Sequence, residues 1–481
     1  MANRTLLDYV GELRQQVLRG GFYLVGRQAI ALVVSVIGVT FLVRLIGPTN
    51  YGLFTGASSI TFVLGVLGTY GLDVYLVRRE RAVGGEDYDQ AFTLLAISAV
   101  VVGSTAFWLG PLLLNLVVES RFAPPLRVLA FSLPFTLLAA PALASLERSL
   151  NYRVVAIIEM TGQFLYYGVA LGLALGGAGL WSPVAAYFSL QVWLMGTTYA
   201  ATAYRPALVW RRALIREMLA YGFSFSLSNW LWQLRGLVNP LVVGHYVGPA
   251  AVGFVGLAAR LVEVAAFVRT AAWRLSIAAF GRVQRDVARF RRVVEEAMAL
   301  QVLAVGPLLA ALGTVGPWLL PAIFGDRWHP VVRVFPYIAL GMIFQAVFTM
   351  QTSVLYVVGR GRSVIPVNAL HITLFAGGAL VCVPAVGFVG YGLAELIALA
   401  GYLLLDRQTR KVFSVSYADA LPWVLAFTPP LFALYLPPAF VPVLWLPLAV
   451  IGLHPRQRRQ IRGFLSYVIR RADEQPRAAQ A

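Results

Sequence analysis

Apolar stretches of bilayer length follow one another along almost the whole chain; Ala29 to Val43, Val128 to Leu146 and Ser363 to Val383 are three of them. About 20 such residues in a helix cross the roughly 30 Å of hydrocarbon in a membrane. Repetition of such stretches therefore predicts an all-α protein, a polytopic membrane helical bundle. A β-barrel would need alternating segments of about 10 residues, and none of these runs alternates. Composition agrees, since 59% of residues are hydrophobic and 12% charged, against roughly 25% charged in soluble chains. The first apolar stretch is long and follows a polar, amphipathic segment, Leu6 to Leu18, which is unlike a cleavable signal peptide.

Fourteen spans are predicted, at 21–45, 52–77, 91–117, 126–146, 154–175, 181–203, 217–243, 251–275, 295–320, 334–358, 363–383, 388–405, 420–437 and 439–453. The last two are short and proline-rich, which leaves twelve as the competing count. With fourteen alternating spans, 29 of the 39 Lys and Arg residues fall on the side of the N-terminus, and the opposite loops hold only Arg121, Arg127, Arg327 and Arg333. Excess Lys and Arg marks the cytoplasmic side, so both termini are expected in the cytoplasm, with the protein in the cell inner membrane. The same clustering accounts for the net charge of +18 without nucleic acid as a partner. Cys382 is the single cysteine and lies inside an apolar run, so neither a disulfide framework nor a cysteine metal site is expected.

The chain also carries a weak internal repeat. Gly47-Pro48 followed by Gly52 matches Gly248-Pro249 followed by Gly253, a shift of 201 residues, and each copy joins an outward span to an inward one. Six spans precede the span pair that carries the second copy. Two six-helix lobes in the same orientation, related by a parallel repeat around a central cavity, are the expected architecture. The boundaries predicted are a cytoplasmic N-terminal segment 1–19, a first lobe 20–204, a linker 205–216, a second lobe 217–405, a two-helix hairpin 406–454 and a basic tail 455–481.

Polar residues inside the spans need a reason, because a charge at the bilayer centre costs roughly 2.5–3.5 kcal/mol on insertion scales. Arg260 is about ten residues into the eighth span, roughly 15 Å deep. Gly253, Gly256, Arg260 and Glu263 recur at three- and four-residue steps and share a helix face. That face either looks into a water-filled cavity or carries an Arg260–Glu263 pair that neutralises itself. In the seventh span Ser228, Arg235 and Asn239 fall on one side, with Asn229, Gln233 and Gly236 beside them. A broad polar face of this kind lines a cavity or holds helices together by hydrogen bonds. Arg27, two turns inside the first span, either contributes to the same cavity or snorkels to headgroups. Arg269 is intermediate between anchor and ligand, whereas Arg44 and Arg274 sit at span ends as anchors. His371 reads as a packed interface residue. The expected substrate-binding set is therefore Arg235, Arg260, Arg27 and Arg269, with Asn229, Gln233, Asn239 and Glu263.

Enzyme signatures are absent from the sequence: it has no paired histidines at helical spacing, no phosphate-cradling glycine loop ending in Lys and no nucleophile elbow. Gly359-Arg360-Gly361-Arg362 follows a membrane span and reads as a helix stop. No cofactor or metal is expected. The short loops opposite the termini leave no room for an active-site domain, which argues against a membrane glycosyltransferase or polysaccharide polymerase.

The runs Phe41-Leu-Val-Arg-Leu-Ile-Gly-Pro-Thr-Asn-Tyr-Gly52, Gly244 to Leu261, Ile323-Phe-Gly-Asp-Arg-Trp328 and Gly359-Arg360 resemble the polysaccharide flippases. These are the O-antigen, capsule and exopolysaccharide exporters of the multidrug/oligosaccharidyl-lipid/polysaccharide superfamily. The resemblance runs from about Gly20 to Leu405. It implies a non-enzymatic transporter that moves a lipid-linked oligosaccharide on an undecaprenyl pyrophosphate carrier across the inner membrane by alternating access. Membrane lipids surround it, and a polysaccharide polymerase and export proteins are the further partners to be expected. A cationic cavity suits a pyrophosphate, to which Arg offers a planar fork. A drug or cation exporter of the same superfamily is the alternative, though a cationic substrate calls for buried Asp and Glu.

Overall fold

The computed structural model describes residues 2–79, 83–202, 204–267, 269, 280, 286–455, 457, 458 and 460, with the side chains of 2–29, 224 and 225 outside that description. Arg274 and most of the basic tail expected at 455–481 also lie outside the described residues. Among the described residues the regular structure is helical throughout, without a strand. Eight helical segments among the described residues are long and apolar enough to cross a membrane.

The first helix, α1 (Ala2–Gly68), runs on through Gly47, where the backbone turns at φ 76°. Its apolar part, Ile30–Gly68, has 39 residues and would extend roughly 58 Å if straight. That is about twice the hydrocarbon thickness, so a bend is required, and glycine supplies it because no side chain opposes positive φ. Pro48 then starts the next helical run, where its missing N–H costs nothing. The second copy of the motif repeats the device: Gly248 has φ 98° and α11 (Pro249–Ala265) begins at the proline.

Between these come α2 (Leu72–Arg78), α3 (Gly85–Ser104), α4 (Gly110–Val117), α5 (Ala123–Ala130), α6 (Leu133–Arg148), α7 (Tyr152–Leu175), α8 (Trp181–Ala201), α9 (Arg212–Leu234) and α10 (Gly244–Tyr246). After α11 follow α12 (Val287–Phe324), α13 (Val331–Val357), α14 (Val364–Val386), α15 (Val389–Ala398), α16 (Gly401–Arg410), α17 (Leu421–Leu431) and α18 (Leu446–Leu453).

Proline explains the main departures from regular spans. The two last spans were expected as crossings over 420–437 and 439–453. The α-helices there are 11 and 8 residues long, separated by 3-10 turns at Ala433–Tyr435 and Pro438–Trp445. Pro429-Pro430 and Pro437-Pro438 remove backbone donors and stop the helix. Eleven residues reach only about 16 Å. The seventh span is also interrupted. Its α-helix ends at Leu234, a 3-10 turn covers Arg235–Leu237, and a π-helical turn covers Asn239–Val243 around Pro240.

The chain divides into two compact units, one ending at Gly256 and one beginning at Leu257, so the division falls inside α11. The core of the first unit gathers Leu72, Tyr75 and Leu76 of α2, Leu95 of α3, Leu137 of α6 and Met218 of α9. In the second unit α17 packs along α12, with Phe427 over Gly306 and the Pro430–Leu431 backbone over Gly313. Gly325 ends α12 with φ 95° and Trp328 is buried just after it. Gly359, at φ 75°, closes α13, and the Arg360 N–H returns to the Leu355 carbonyl at 2.7 Å. Side chains such as Val100 on α3, Trp108 on the π-helical turn Thr105–Leu109, and Leu112 and Leu116 on α4 are exposed, as suits a surface whose solvent is lipid.

Candidate functional site

The seventh span changes character at Arg235. Its first half, α9, approaches the α1–α2 turn at Gly222, where a Cβ would overlap the Tyr70 carbonyl oxygen. Beyond Leu234 the regular ladder is lost over the 3-10 and π turns that surround Pro240. Such local changes of helix type redirect backbone donors and side chains and recur at functional positions. Arg235, half-buried, places its guanidinium 5.3 Å from the Trp232 ring centroid, within the range of a cation–π contact.

The polar neighbours do not behave alike. Asn229 is exposed and Gln233 half-buried. Asn239 instead donates from Nδ2 to the Val252 carbonyl at 3.1 Å, tying the π turn to α11. That is the helix-joining role of a polar residue in a membrane bundle. Pro240 lies near Gly56 of α1, which also faces the buried Phe122. One turn earlier on α1, Gly52 meets Pro249 and Gly253, and Gly253 meets Pro48 and Gly52. Glycines at these crossings let backbones approach where a side chain would hold them apart.

In the second unit, Arg260 is exposed on α11 and its Nη1 lies 3.5 Å from Glu263 Oε2. With 43% and 62% of the two side chains exposed, a pair at this spacing contributes little. Arg269 donates from Nη1 to Gln345 Oε1 on α13 at 3.0 Å. Arg27 lies on α1 among the residues whose side chains are outside the description. His371 is buried, with its ring 5.4 Å from that of Tyr402 and its backbone against Gly401.

Two polar networks escaped the sequence reading. In the first unit Arg79 pairs with Asp87 at 2.6 Å and with Glu217 at 2.7 Å, and the Tyr75 hydroxyl donates to Glu217 at 3.1 Å. In the second unit Gln351 Nε2 donates to the Tyr417 hydroxyl, which donates to Asp406, both at 2.6 Å. Burial first, then the hydrogen bond to Asp406, pushes the Tyr417 hydroxyl above its ordinary pKa. The partners come from segments as far apart as 142 residues, so no local motif announces them.

Comparison with known proteins agrees with the fold. A family model described as polysaccharide biosynthesis protein matches residues 41–333. The succinoglycan biosynthesis transport protein ExoT of Rhizobium meliloti is 23% identical over 396 residues, covering 80% of this chain and 77% of its own. The lipopolysaccharide biosynthesis protein WzxC of Escherichia coli is 19% identical over 389 residues, covering 80% and 79%. Among solved structures, the lipid II flippase MurJ in an inward closed conformation aligns with a TM-score of 0.69 at 13% identity, covering 92% of this chain and 99% of that one.

Proposed function

Since this chain belongs to the polysaccharide biosynthesis protein family, we propose that it is a flippase for a lipid-linked oligosaccharide. The observation that carries the reading is Arg235, a cation set where the seventh predicted span gives up its α-helical ladder. In transporters, interrupted helices at membrane depth serve as binding sites because they offer unpaired backbone groups and a helix end to a polar ligand. A guanidinium there suits phosphate, to which it donates two parallel hydrogen bonds.

In this proposal the substrate is an oligosaccharide on an undecaprenyl pyrophosphate carrier, moved from the inner to the outer leaflet of the inner membrane. The diphosphate head engages Arg235 and, at some stage of the cycle, Arg260, while the isoprenoid stays in lipid. Transport proceeds by alternating access of two six-helix lobes, twelve or fourteen spans in all, with both termini cytoplasmic. No covalent step is involved. Supporting the reading are the family, the transport role named for the Rhizobium relative and the matching Gly-Pro turns of the two halves. A polymerase and export proteins complete the proposed set of partners. Depletion of the protein in its host should leave lipid-linked oligosaccharide accumulating on the inner leaflet, and unchanged export after depletion overturns the reading.

A further inference from the structure

At the start of α9 three successive basic positions have different fates. Arg211 reaches Glu86 at 2.7 Å. Arg212 and Arg216 are exposed and have no ion-pair or hydrogen-bond partner among the described residues. These two border a groove of about 580 Å³ whose other walls are Trp210, Ile215, Leu219, Ala220 and Phe223. Positions 212, 216, 219 and 223 share one helix face by their spacing. The opposite face carries Met218, Gly222 and Ser226, all buried. The groove face stays open, with Phe223 48% and Trp210 59% exposed.

We propose that this groove holds an anionic phospholipid of the Arg-rich leaflet, its phosphate at Arg212 and Arg216 and one acyl chain along Leu219 and Phe223. Like charges four residues apart on a helix repel one another, and an anion placed between them removes that cost. The walls below the arginines are hydrocarbon, so they suit an acyl chain and not a sugar. The eleven helical steps from Arg212 to Phe223 span roughly 16 Å, about half of the 30 Å hydrocarbon layer, which is the depth of a single leaflet. Trp210 stands at the charged end, where aromatic rings collect at membrane interfaces. Because the groove is open along its side, its affinity is modest, and a lipid abundant throughout the leaflet fills it in preference to a scarce carrier. This inference does not depend on the transport reading.

The test is a binding titration of the purified full-length protein in detergent with dioleoylphosphatidylglycerol, counting bound lipid by native mass spectrometry. The double variant Arg212→Gln/Arg216→Gln should weaken the tightest site about 25-fold, from the usual gain per basic residue at an anionic surface. Phe223→Gln, which keeps both charges, should weaken it as well and decides the matter if the double variant folds poorly. A control double variant at two exposed arginines elsewhere, Arg289→Gln/Arg292→Gln, should bind like the parent. Unchanged phosphatidylglycerol binding in both groove variants overturns the proposal. So does displacement of phosphatidylglycerol from the parent by an equal concentration of polyprenyl diphosphate, which would assign the groove to the carrier.

Discussion

Gly52 and Gly253 pack against each other at the crossing of α1 and α11, each facing the carbonyl oxygen of the proline that opens the other's helical run. The relationship is reciprocal: a Cβ on Gly52 would overlap the Pro249 carbonyl oxygen, and one on Gly253 would overlap that of Pro48. One turn on, Gly256 lies beside the Thr55 side chain, with room for ordinary van der Waals contact. The two copies of the Gly-Pro motif are therefore alike in sequence and in backbone, and they are also in contact.

Gly52→Ala and Gly253→Ala should each destabilise the protein by about 1–3 kcal/mol, the range for overfilling a packed contact. Gly168→Ala on α7, where a Cβ would meet nothing within 4 Å, should be neutral or stabilising by up to about 1 kcal/mol. Thermal unfolding of the three variants in detergent measures the contrast. Equal midpoints for Gly52→Ala and Gly168→Ala would show that the crossing is looser than described.

Much of this was legible in the sequence because its causes are local. The apolar runs required helices, and the Gly-Pro pairs marked the turns at Gly47 and Gly248. The breakage of the seventh span was missed although Pro240 was in plain view. The span was read as one continuous face, and the 3-10 and π turns alter that register, so Asn239 ends bonded to Val252 while Asn229 is exposed. The Arg79–Glu217 pair was not legible at all, since nothing in either neighbourhood selects the other.

Arg79 holds two carboxylates from different helices, Asp87 on α3 and Glu217 on α9, and only 10% of its side chain is exposed. Arg79→Ala should therefore cost about 1.5–3 kcal/mol, because it strips a hydrogen-bonded cation from both partners. Glu217 is 49% exposed, and its loss leaves the Arg79–Asp87 pair in place. Glu217→Ala should cost under about 1 kcal/mol. Urea or thermal unfolding of the two single variants and the double variant gives the coupling. A larger effect at Glu217 than at Arg79 contradicts this assignment.

Asn229 and Asn239 separate a structural amide from an exposed one. Asn239→Ala removes the hydrogen bond to Val252 and should lower stability by about 0.5–1.5 kcal/mol. Asn229→Ala should leave stability within about 0.5 kcal/mol of the parent, as surface substitutions do. Unfolding midpoints measured side by side distinguish the two, and a reversed order would show that the hydrogen bond adds nothing.

The proposed transport role places its greatest demand on Arg235 and Arg260. Arg235 stacks on Trp232, and Arg260 makes a 3.5 Å contact to an exposed Glu263. Arg235→Ala and Arg260→Ala should each abolish export of lipid-linked oligosaccharide in cells depleted of the parent protein, while abundance and insertion stay nearly normal. Arg→Lys at either position should restore export only in part, because Lys keeps the charge but loses the planar fork that grips two phosphate oxygens. Arg269 supplies the internal contrast, since its bond to Gln345 gives it a packing role, and Arg269→Ala should lower abundance together with export. Normal export by both Ala variants, with the protein present at parental levels, would mean that the head group is bound elsewhere and that Arg235 marks only a bend in the span.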